Sequence, residues 1–564
     1  MTKGEEGLVT SFEQVEQTIQ RAREKWVAGF YAEANKLLMT LLESNESERA
    51  QTLAYLELGH IAIDCSKEAK AFEFYQSAQA LAARHDDDNR KTWALLGLAA
   101  VAHGTGKLKK GLHFATSALD HFRNSSGDDL GFFEATRQHA LHYLIVGDYE
   151  KSQDYLRVVI DGLESTENLG ILGKVYLARA WNLLGALHLY TGNHKASLEV
   201  CAKSYGVASE ATEQGYRSGM GLAAINMGEG HRHLGEYNKA LTYYEEALGI
   251  LKELGADVDT ATALQNIALV YSTRGEYQQA AAYFEQSKLL YEVHGRISDQ
   301  ILLLGDMAGH MHVRGDFKAA AQLFEESIQL YRAVGSEEEL VDKLCRFAAT
   351  LMELGEFARA ENLLQEAERL ANKHASHSET LHCQLRFGIL EKARSNFGSA
   401  RQLLLTTLQD AETRSLPRFI ISSSLALAEI ALRDYQASCK PPFLRQASEL
   451  VTKATVLAQD QHLLPIVGET LLLQALFALE ELNYEAAHAQ LIQASLVAEE
   501  SGLRLLQQRI APHLHRLNRV RDRERHAALQ MTEQERTSCS MNEAIEYIQI
   551  CQRVLDVQEI EETA

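Results

Sequence analysis

Along the middle of the chain the apolar residues recur in one figure, centred on a turn. Large, large, small and large residues stand 11, 8, 7 and 4 places before it, as in Leu264, Ile267, Ala268 and Tyr271, or Trp181, Leu184, Gly185 and His188. After it, places +5, +9 and +12 carry Ala280, Phe284 and Ser287, or Ala240, Tyr244 and Ala247. Spacings of three and four put each set on one face of a helix. The figure therefore predicts two amphipathic helices folded back on each other, with small residues where they touch and large ones filling the space between.

The turn itself supplies the register. LGEY, RGEY, RGDF and LGEF place Gly235, Gly275, Gly315 and Gly355 at intervals of 40. The same rule reaches Ser395 in one direction and Gly192, Gly147, Gly106, Ser66 and Gly29 in the other, with spacings of 37 to 45. Further on it gives Leu482, and a turn near Pro442 after an insertion near 433–445. Gly255, Gly295, Gly335 and Gly502 each stand twenty places beyond a turn position, where a helix ending in the left-handed conformation favours glycine. A repeat of this length must be recognised before any domain is drawn, because no single hairpin can bury its own apolar face.

The W-x2-L-G-x2-Y…A-x3-F…A figure resembles the tetratricopeptide repeat over residues 11 to 502. The 40-residue form is similar to the arrays of kinesin light chains, Pins-type adaptors and MalT-like bacterial activators. The resemblance implies an all-α, right-handed superhelical solenoid of about twelve helix hairpins. Residues 1–10 are expected to be disordered and 107–230 to hold irregular units. A basic capping helix is expected at 503–530, and a tail with an amphipathic helix at 531–564, opened by the capping box of Ser540 and Glu543.

On the first helix of each hairpin, positions −13, −9, −6 and −2 point away from the partner helix. The resemblance implies that this face lines a concave groove. Its −9 ladder reads Asn226, Asn266, Asp306, Arg346 and Arg386, with Gln138 and Leu183 before it, Arg433 after it, and the apolar neighbours Leu222, Leu269, Leu302 and Val313. Amides can pair with any peptide backbone, and arginines offer a planar fork to carboxylates. The face is thus expected to hold a protein or peptide segment with acidic residues. Charge reversal at Arg346 and Arg386 is expected to abolish capture without affecting stability. Thr262, Asp342 and His382 stand at −13, where the resemblance implies one basic residue of a carboxylate clamp, so a chaperone C-terminus is a poor ligand.

Composition narrows the partners further. A net charge of −21 disfavours nucleic acid and anionic membrane surfaces, and no run of 18 apolar residues offers a membrane span. The N-terminus has no apolar signal region, and the cytoplasm is the expected location. Seven scattered cysteines without a C-x-x-C pair predict neither a disulfide framework nor a zinc site. The histidine pairs 231/233, 310/312 and 513/515 diverge on a helix. No nucleotide-binding, metalloprotease, hydrolase or calcium motif is present. The expectation is a non-enzymatic scaffold or adaptor with no cofactor; the alternative is an effector-sensing regulatory arm acting on a separate output protein. Homo-oligomerisation and docking of the tail on its own solenoid both stay open.

Overall fold

The structure is a computed structural model that describes residues 3–520, apart from 45–46, 125–127, 335–339, 375–376, 415 and 482. It divides into two compact units, Met1–His231 with Lys239–Leu264, and Arg232–Asn238 with Gln265–Ala564. The described residues form twenty-five helices, in hairpins that follow one another along the chain.

The first unit begins with α1 (Lys3–Val27), α2 (Tyr31–Glu43), α3 (Glu48–Asp64), α4 (Glu68–Arg84), α5 (Asp88–Gly104) and α6 (Leu108–Asn124). It continues with α7 (Asp129–Ile145), α8 (Tyr149–Glu164), α9 (Ile171–Tyr190), α10 (His194–Ser209), α11 (Arg217–His233) and α12 (Tyr237–Leu254). Helix α13 (Asp257–Thr273) carries the boundary at Leu264. The second unit proceeds through α14 (Tyr277–Val293), α15 (Ile297–Arg314), α16 (Phe317–Val334), α17 (Leu340–Glu353), α18 (Phe357–His374) and α19 (His377–Ala393). It ends with α20 (Phe397–Thr413), α21 (Pro417–Ser438), α22 (Pro441–Asp460), α23 (Leu464–Glu480), α24 (Tyr484–Glu500) and α25 (Arg504–Val520).

The backbone keeps the register of the sequence. Gly29, Gly106, Gly147, Gly192, Gly235, Gly275, Gly315 and Gly355 all have φ between 71° and 86°, and Ser66 and Ser395 adopt the same left-handed turn at 54° and 64°. The second grid holds too, at Gly255, Gly295 and Gly502; Gly335 and Leu482 lie outside the described residues. Aspartates close several helix starts: Asp87, Asp128 and Asp148 accept hydrogen bonds from the backbone N–H of Arg90, Gly131 and Lys151.

Small residues at −7, +5 and +12 bring helices within reach of each other's backbones. Ser152 and Ser197, both at +5, donate to the −7 carbonyls of Ala140 and Gly185 at 2.8 and 2.9 Å. Ser204 and Ser327, at +12, donate in the same way to the carbonyls of Ala178 and Ile301. These bonds satisfy the serine hydroxyls in a core that has no water to offer them.

Three boundaries differ from the sequence reading. Helix α1 begins at Lys3, inside the stretch expected to be disordered. Residues 433–445 are no insertion: α21 runs on to Ser438, Cys439 turns the chain with φ 51°, and Pro441 and Pro442 open α22. Proline is tolerated at those first positions because the N–H it lacks has no helical partner there. Among the described residues, 107–230 form ordinary hairpins, with longer connections at 165–170 and 210–216. Helix α25 lies on the last hairpin, where Arg509 donates to Glu469 of α23 at 2.7 Å. Among the described residues no helix is long and apolar enough to cross a membrane.

Tyr75 of α4 is held between two glycines, Gly59 of α3 and Gly97 of α5. A Cβ on Gly97 would stand 2.3 Å from Tyr75 Cε1. Gly97→Ala is expected to cost about 1–3 kcal/mol through overpacking. Gly249→Ala, in open space on the exposed side of α12, is expected to stabilise by roughly 0.5–1 kcal/mol. Urea midpoints of the two variants should move in opposite directions; shifts of the same sign would contradict the packing described.

Candidate functional site

The two helices of a hairpin differ in how they are buried. Helix α14 hides one stripe, Ala280, Phe284, Ser287 and Tyr291. Helix α17, by contrast, buries all but Asp342 and Glu353 of its fourteen residues, and α21 and α23 are enclosed nearly all round. The face of the first helices that points away from their hairpin partners is therefore largely covered, and the polar residues on it must satisfy each other.

In the first unit they do so with balanced charge. Arg23 Nε donates to Glu57 Oε1 at 2.7 Å. Burial would raise the Glu57 carboxyl, but Arg23 and His60 together pull it down to about 2. Arg137 grips Glu134 with two bonds of 2.8 and 2.7 Å, Gln138 donates to the same carboxylate at 2.9 Å, and His103 Nδ1 lies 3.2 Å from the Gln138 carbonyl. Glu134 is held below the usual range because these partners outweigh its burial. Asp64 pairs with Arg179 at 2.8 Å. Further along, the Asn226 amide donates to Asn182 Oδ1 at 2.9 Å.

The second unit is cation-rich on the equivalent face. Lys343, Arg346, Arg386, Lys392 and Arg418 are buried on α17, α19 and α21. Lys392 pairs with Glu429. Lys343 and Arg346 both face the half-buried Asp342, at 3.1 and 3.8 Å, and both act on the buried Asp306. Arg346 is loosely held: Nη2 reaches the Gly305 carbonyl at 3.5 Å, Nη1 stands 3.8 Å from Asp342, and the guanidinium lies 5.5 Å from the centre of the Phe324 ring. Arg386 donates to His382 Nε2 at 3.2 Å. Gln265 donates to Asp306 at 2.6 Å, yet burial still raises that carboxyl above its ordinary value against the pull of Arg346.

The sequence-derived ladder divides on this basis. Leu302 is 42% exposed. Asn226, Asn266, Leu222, Leu269 and Val313 are half-buried. Asp306, Arg346 and Arg386 are enclosed, the two arginines at 2% exposure. Arg346 and Arg386 are thus not open rungs of a groove, and the expectation that their reversal spares stability is corrected: packing of neighbouring helices covers the positions that helical geometry points outward. Gln138 and Leu183 are buried too. Glu57, Asp64, Glu134 and Arg179 stand outside the sequence-derived ladder, yet the repeat register carries a signal for them, since they occupy −9, −2, −13 and −13 of their hairpins.

Residues 219–292 match the family model for the tetratricopeptide repeat. Asn226, Asn266, Leu222 and Leu269 fall inside that match. Hairpins on both sides of that match repeat the same left-handed turn and the same close contact of small residues, so the described residues form an all-α array of helix hairpins. Among solved structures the chain is similar to a Rap protein complexed with competence and sporulation factor, at 14% identity over 60% of this chain and 99% of that one, with a TM-score of 0.41. It is also similar to yeast Tom70, at 13% identity over 92% and 98% of the two chains with a TM-score of 0.40. Aspartyl phosphate phosphatase F from Bacillus subtilis gives 15% identity over 65% and 95%, with a TM-score of 0.39. No curated protein matches the sequence.

Proposed function

We propose that the protein is a non-catalytic interaction scaffold that takes extended or helical segments of partner proteins on the inner face of its repeats. The observation that carries this reading is the combination on α13 and α15: Asn266 is half-buried with no side-chain hydrogen bond to another described residue, and Leu269, Leu302 and Val313 keep apolar surface accessible on the same two helices. An amide with unused donor and acceptor capacity, flanked by aliphatic groups, suits a peptide backbone with alternating side chains.

The test is affinity capture with the full chain, followed by mass spectrometry and titration of the recovered partner. Leu302→Glu combined with Asn266→Ala is expected to weaken that partner at least tenfold, a loss of about 1.4 kcal/mol. Leu496→Glu, on the exposed side of α24, is expected to leave it unchanged. Equal binding by both variants would sink the inner-face reading. A protein that recovers no partner but melts at a shifted temperature with a small effector would instead be a sensor arm.

A further inference from the structure

We propose that Asp64 is a latch that holds the inner face of the first unit shut. A repeat array ordinarily lets each hairpin touch only its neighbours. Asp64, at the end of α3, instead gathers groups from three other places along the chain. The Trp26 indole N–H of α1 donates to Oδ2 at 2.9 Å, and Arg179 Nη2 of α9 donates to Oδ1 at 2.8 Å. The Tyr216 hydroxyl, just ahead of α11, lies 3.3 Å from the same carboxylate and accepts from Arg179 Nε at 3.0 Å. Residues 115 and 152 positions apart thus meet on one carboxyl group.

A second contact lies beside it. Gly29, in the turn between α1 and α2 with φ 86°, sits so close to α11 and α12 that a Cβ would come within 2.6 Å of Leu254 Cδ2 and 3.3 Å of Arg217 Cγ. The first hairpin is therefore folded back against the sixth. Trp26, which donates to the carboxylate, also stacks on His60 with ring centres 5.3 Å apart. Successive hairpins meet through broad apolar faces, whereas this join adds to the Gly29–Leu254 approach a small polar network centred on a single anion. Such a join can be exchanged: a carboxylate brought by a partner would compete with Asp64 for Arg179. That last role rests on the function proposed above, but the latch itself is read on the protein alone.

The experiment is hydrogen exchange by mass spectrometry with small-angle scattering on the full chain. Asp64→Ala leaves the Arg179 charge buried without its anion and can fail to fold, so Asp64→Asn with Arg179→Gln, which removes both charges, is the main variant. Exchange in α1 and in residues 210–220 is expected to quicken about tenfold, the scale of losing one such interaction. Helicity and the protection of α6 and α8 should stay as in the parent, and the radius of gyration should rise. Unchanged exchange in α1 and 210–220 would overturn the latch. So would uniform loss of protection in every helix, which would make the cluster part of the general core. Neither outcome needs a partner, so failure of the latch is distinct from failure of the scaffold reading.

Discussion

Arg346→Glu together with Arg386→Glu is expected to destabilise the second unit by roughly 3–5 kcal/mol per site, enough to unfold it at ambient temperature. Both guanidinium groups are enclosed. A glutamate at 346 would set its carboxylate beside Asp306 and Asp342 with no cation of its own, and burying an unpaired charge is among the costliest single changes a core can suffer. Arg346→Met is the informative control. Arg346→Met removes one cation without adding an anion, and Lys343 still stands 3.1 Å from Asp342, so its cost is expected to be smaller than that of the reversed pair. Circular dichroism melts should therefore separate the two, with the methionine variant lowered but folded and the reversed pair lost. A reversed pair that melts with the parent would show that these arginines face water.

Acidification is expected to produce the second large effect. Burial pushes His103 and His310 down to about 4. His139, His142 and His188 are also lowered, burial being the main cause in each. A base whose folded pKa lies below its unfolded value of 6.5 contributes stability fully above that value. The contribution shrinks as pH falls through 6.5 towards 4, because the unfolded chain binds the proton first. For His103 and His310 the loss between pH 7 and pH 5 is on the order of 2 kcal/mol each. Asp306 acts with the opposite sign, since its raised carboxyl favours the folded state at lower pH. It is one group against five. Glu57 and Glu134 keep their contribution in this range and lose it only below about 4.5, Glu57 as pH nears 2. Urea midpoints at pH 7 and pH 5 should fall accordingly, and His103→Gln with His310→Gln should flatten the slope. Identical midpoints would contradict the burial of these rings.

The turn register was legible in the sequence because glycine leaves a backbone signature. Every extrapolated position described, from Gly29 to Ser395, adopts the left-handed turn. The next one was misplaced because Cys439 turns the chain with no glycine to mark it, while the conspicuous Pro442 belongs to the following helix. The candidate site was legible as a set of positions and illegible as a surface. Helical periodicity says that Arg346 points away from its hairpin partner; whether water or another helix lies there depends on how successive hairpins approach, which no single repeat encodes. Leu302 and Arg346 illustrate the point: both were assigned to the inner face, and one is open while the other is enclosed.

The carboxylate of Asp64 also bears on how the first unit comes apart. In a string of hairpins joined only to their neighbours, the terminal one can fray at the cost of a single interface, and unfolding spreads inward stepwise. Where Trp26 and Tyr216 share one anion, loosening α1 also loosens the approach to α11. Closing a loop of that span costs only slightly more entropy than closing a short one, since the penalty grows with the logarithm of length. The end of the array is thereby coupled to its middle, and the first unit should melt as a closed ring rather than unzip as a chain.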